Sequence, residues 1–122
     1  MKYKFGRILA TDEQIKVLYE LLKTRNYVIS HKSLPSFEKH QHFVKNHPYL
    51  HWFLLYSSSN YFGSFYLKKD NSIGINLTEY NKEILEACLD FIRENFIILK
   101  FVLIFFYKKS SYNFFIYCRI SN

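Results

Sequence analysis

The sequence predicts an α/β domain in which an antiparallel meander is covered by amphipathic helices. Three observations lead there. Residues 51–77, HWFLLYSSSNYFGSFYLKKDNSIGINL, hold aromatic and apolar runs of strand length broken by short polar turns. Ser72–Leu77 alternates, with Ile73, Ile75 and Leu77 on one side and Ser72, Gly74 and Asn76 on the other. The segments before and after carry apolar residues at helical spacing. A meander with one apolar face needs a helical layer to bury it.

Taken in order, residues 2–9 read as an opening strand with Tyr3, Phe5 and Arg7 on one side. Thr11-Asp12-Glu13-Gln14 forms a capping box, a hydroxyl at the cap and a carboxamide three residues on. Ile15, Leu18, Tyr19 and Leu22 follow as one stripe, so a first helix runs to Lys23 or Thr24. Residues 25–31 connect it to a second helix, for which Pro35 suits the first turn and Ser33 the cap. That helix carries Phe37, His40 and Val44 on one face and stops before Pro48. The meander strands are 51–56, 61–68 and Ser72–Leu77, with turns at 57–60 and 69–71. A third helix spans Lys82–Asn95. Its stripe is Ile84, Leu85, Cys88, Leu89, Phe91 and Ile92, and its early acids suit the positive end of the helix dipole. Residues 96–107 read as a strand, 108–111 as a turn and 112–120 as the returning strand of a hairpin. The order is β-α-α-β-β-β-α-β-β, with no internal repeat.

At 122 residues, 49% apolar and 20% aromatic, the chain is one domain with a genuine core. Two cysteines without motif spacing and no signal-peptide pattern imply a reduced, cytoplasmic protein. The apolar run 96–107 is broken by Lys100 and too short for a membrane helix. The net charge of +7 favours anionic partners, but the basic residues are scattered, which ranks a solvated surface above a nucleic-acid patch. Trp52, Phe53 and Tyr56 are expected in the core, not on a base-stacking face. His40, His42, His47 and His51 match no zinc spacing, so no metal is expected.

Several strings carry a family likeness: Leu18-Tyr19-Glu20-Leu21-Leu22, Ile29-Ser30-His31, Pro35-Ser36-Phe37-Glu38 and His47-Pro48-Tyr49-Leu50-His51-Trp52. To these are added Phe62-Gly63-Ser64-Phe65-Tyr66-Leu67 and Asn71-Ser72-Ile73-Gly74-Ile75-Asn76-Leu77. Together with the element order, they resemble the GCN5-related N-acetyltransferase superfamily over residues 1–95. The resemblance implies a single acetyltransferase-like domain over residues 1–122, with a mostly antiparallel, mixed, twisted sheet and helices on both faces. It also implies acetyl transfer from acetyl-CoA to an amine of a small molecule, sugar or protein.

On that reading Ile75, Asn76, Leu77, Thr78, Asn81 and Lys82 surround the cofactor. A backbone N–H near Ile75 or Leu77 polarises the thioester carbonyl. His31 or Glu79 would serve as base, and Tyr80, Tyr107 or Tyr112 as acid. The chain departs from the family twice. The glycine-bearing pyrophosphate loop is absent, and in its place stand Leu77-Thr78-Glu79-Tyr80-Asn81-Lys82-Glu83, with Lys82 alone against two acids. Residues 96–122 lack a helical stripe and any acid; they read as an edge hairpin or as an altered, frame-shifted tail. Loss of the family's final elements would expose a strand edge and favour a homodimer through it. The competing readings are a non-catalytic, binding relative and, below it, a basic nucleic-acid-binding module.

Overall fold

The computed structural model describes residues 3–23, 34–70, 72–79, 81–96, 106–109 and 114–119, the last two segments by backbone alone. The elements are β1 (Lys4–Arg7), α1 (Asp12–Lys23), α2 (Phe37–Lys45), β2 (His51–Ser57), β3 (Asn60–Leu67), β4 (Ser72–Leu77), α3 (Lys82–Asn95), β5 (Phe106–Lys109) and β6 (Phe114–Arg119). The protein is thus a mixed α/β fold. The strands form one sheet in the order β1-β2-β3-β4-β6-β5. Each described pairing is antiparallel, so the expectation of a mixed sheet gives way to an antiparallel one.

Side chains alternate across β2, and this sets the layers. Phe53 and Leu55 face one way, joined by Phe65, Leu67, Ile73, Ile75 and Leu77 of β3 and β4. Ile84, Cys88 and Ile92 of α3 close that core. Trp52 and Leu54 face the other way and meet Ile15 and Leu18 of α1 and Val44 of α2. Helices therefore cover both faces, two on one side and one on the other. Each fully buried side chain of this kind contributes about 1.5–3 kcal/mol.

Local chemistry explains the helix ends. The Gln14 N–H donates to Thr11 Oγ1 at 3.2 Å, and Gln14 Oε1 accepts from the Thr11 and Leu9 N–H groups. Gln14 Nε2 also donates to the Arg7 carbonyl at 2.7 Å, so the expected capping box ties α1 to the end of β1. The cap of α2 is Ser36, whose Oγ accepts from Lys39 N–H. Pro35 therefore precedes the cap instead of sitting in the first turn; Ser33 lies outside the described residues. His40, buried in α2, binds the Ile15 carbonyl at 3.0 Å. A carbonyl only accepts, so His40 Nε2 carries the proton and joins the two helices.

Residues 58 and 59 alone turn β2 into β3, because Ser57 pairs with Asn60. Ser58 has φ 54, the positive value that the first central residue of a two-residue primed hairpin turn takes. Between Leu55 and Tyr56 the register shifts, and Gly63, at φ +152, follows that bulge. An added Cβ there would lie 2.0 Å from the Asn76 carbonyl oxygen, so only glycine fits.

The last third differs from expectation. Phe96 is the C-cap of α3, not a strand residue: its N–H donates to the Ile92 carbonyl. Its ring packs 4.4 Å from His51. β5, Phe106–Lys109, takes in Lys108 and Lys109, expected in a turn; residues 97–105 lie outside the described residues. The hairpin itself is present as β5–β6.

Candidate functional site

The junction between β4 and α3 is the candidate site. Ile75 and Leu77 are buried beneath α3, while Asn76 is half-buried and points to the opposite face. The Thr78 N–H donates to the Phe62 carbonyl at 2.8 Å, and the Lys68 N–H donates to the Ser72 carbonyl. The Ser72 carbonyl and, just past β4, the Thr78 N–H thus point at the β3 side, while the Ser72 N–H is taken by Asp70 Oδ1 at 3.0 Å. By the alternation of a strand, the N–H groups of Ile75 and Leu77 point to the other edge. There β6 runs alongside, with Ile116 opposite Ile75 and Phe114 opposite Leu77.

The start of α3 is occupied by its own cap. Asn81 Oδ1 accepts from the Glu83 N–H at 2.9 Å and from the Ile84 N–H at 3.2 Å. Those are two of the donors that an anion at a helix N-terminus would use. Lys82 is exposed and faces Glu86 at 3.9 Å, a surface pair of little energetic weight. Glu79 is exposed just past β4 and Glu83 sits in the first turn, so carboxylates flank the mouth. The donor set does not fit the pyrophosphate of acetyl-CoA: the available oxygens repel it and the key amides already have partners.

Of the other site residues expected from sequence, His31, Tyr80 and Tyr112 lie outside the described residues, as does the Tyr107 side chain. Thr78, Glu79, Asn81 and Lys82 follow one another along the junction, but Thr78, Asn81 and Lys82 engage, respectively, Phe62, the Glu83 and Ile84 amides, and Glu86. Asn81, assigned by resemblance to the cofactor, acts as a helix cap; an Asn directly before an apolar helical stripe was the available signal.

Two side-chain groups were not foreseen. Arg7 Nη1 lies 3.1 Å from His51 Nδ1, and the guanidinium sits 4.7 Å over the Phe53 ring. Arginine can only donate, so His51 accepts at Nδ1 and is neutral. Burial and then the Arg7 charge push its pKa below the ordinary histidine value. On the α1–α2 face, Tyr49 stacks on Tyr66 at 4.1 Å, with Trp52, His47 and Phe43 around Tyr49. Burial lowers the pKa of His47, whose Nδ1 accepts from the Tyr49 N–H.

Trp52 and Phe53 are buried against opposite layers, so they do not present a shared stacking face. Burial raises the Cys88 thiol to about 12, which leaves it protonated and inert at neutral pH. Among the described residues no group of three His, Cys, Asp or Glu side chains is placed to hold a metal ion. No described helix is long and apolar enough to cross a membrane. Comparisons with protein-family models, curated proteins and solved structures give no match.

Proposed function

We propose that this chain is an acetyltransferase-type domain that acts by binding and not by acyl transfer. The class rests on the sequence resemblance, and the element order β-α-α-β-β-β-α with helices split two against one over the sheet supports it. Within that class, one observation favours the non-catalytic reading. The amides that catalysis would need are directed elsewhere: Ile75 and Leu77 toward β6, and Glu83 and Ile84 toward the Asn81 carboxamide. A thioester carbonyl gains from an N–H only when that donor is free to meet the developing oxyanion. The carboxylates of Glu79 and Glu83 add repulsion where a pyrophosphate would approach.

Titration calorimetry with acetyl-CoA up to about 1 mM tests the reading, a range that detects binding stronger than about 4 kcal/mol. A flat trace is the expected result. Saturable heat, accompanied by amide shifts confined to residues 75–84, would overturn it. The competing assignment would then be an N-acetyltransferase acting on an amine, with exposed Glu79 as the first base to substitute.

A further inference from the structure

We draw no further inference here: the strongest candidate, the exposed Phe43 ring with the half-buried His47, Tyr49 and Tyr66 that border buried Trp52 on the α1–α2 face of the sheet, is an apolar patch, and nothing in the structure shows what covers it.

Discussion

The two faces of β3 and β4 are built by different rules. Toward α3 the strands present Phe65, Leu67, Ile73, Ile75 and Leu77, a uniform apolar surface that any helical stripe of fitting width can cover. Toward the α1–α2 side the same strands present Ser64, Tyr66, Ser72, Gly74 and Asn76. Here fit is pairwise. Tyr66 stands opposite Gly74, and its ring lies where a Cβ would be, 2.1 Å from the ideal position. A ring laid over a strand glycine restores the burial that the glycine lacks. One face is therefore tolerant of exchange among apolar residues, and the other depends on particular partners.

Neighbouring substitutions in β4 can break that contrast. Ile75→Ala should have the largest effect, about 2–5 kcal/mol, because it opens a cavity in a fully buried site. Urea unfolding measures it, and a midpoint equal to that of the parent chain would mean that the α3 layer contributes little. Gly74→Ala should cost about 1–3 kcal/mol by forcing the Tyr66 ring aside. Its diagnostic is a cycle: combined with Tyr66→Ala, the added methyl should cost much less than it does alone. Strict additivity would show that the ring and the glycine are independent.

The helix mouth offers a smaller effect. Asn81→Ala removes the acceptor for two amides and should destabilise by about 1 kcal/mol. Asn81→Asp, which keeps the cap and adds charge at the positive helix end, should retain the parent stability. Equal losses in both variants would show that Asn81 does not act as a cap.

The smallest expected effect is on pH dependence. His47 and His51 both have pKa values lowered from 6.5, with burial the leading cause in each. A depressed histidine pKa favours the neutral form in the folded state. Their contribution is therefore complete above 6.5 and is lost as the pH falls through that value toward the folded ones. Comparing urea midpoints across that interval should show a shallower acid-side loss for His51→Gln than for the parent. Superimposable profiles would assign no stability role to the Arg7–His51 contact.

Legibility followed the range of the interactions involved. Thr11 and Gln14 were recognisable as a cap because their partners lie within a few residues. The bounds of β4 and α3 were equally readable, since alternation and helical spacing are properties of consecutive residues. Pro35 misled because a proline is tolerated both before a cap and just inside a helix, and Ser36 offered a competing hydroxyl. Phe96 misled because it opens an apolar run, while its amide completes the last turn of α3. At the candidate site the composition was legible, with acids in place of glycines. The engagement of its amides was not, because half of it depends on a strand about forty residues further along.

By itself, then, the sequence determined α1 with its cap, the bounds of β4 and α3, the apolar face that seats α3 and the need for helices above the sheet. Periodicity and capping act over a few residues and require no knowledge of the rest of the chain. Only the tertiary structure decided that β6 lies against β4, that Gly63 faces the Asn76 carbonyl, that Gly74 lies under Tyr66 and that the Arg7 guanidinium meets His51 Nδ1. Each of these depends on atoms from separate strands arriving within a few ångströms of one another, a condition set by sheet order and register.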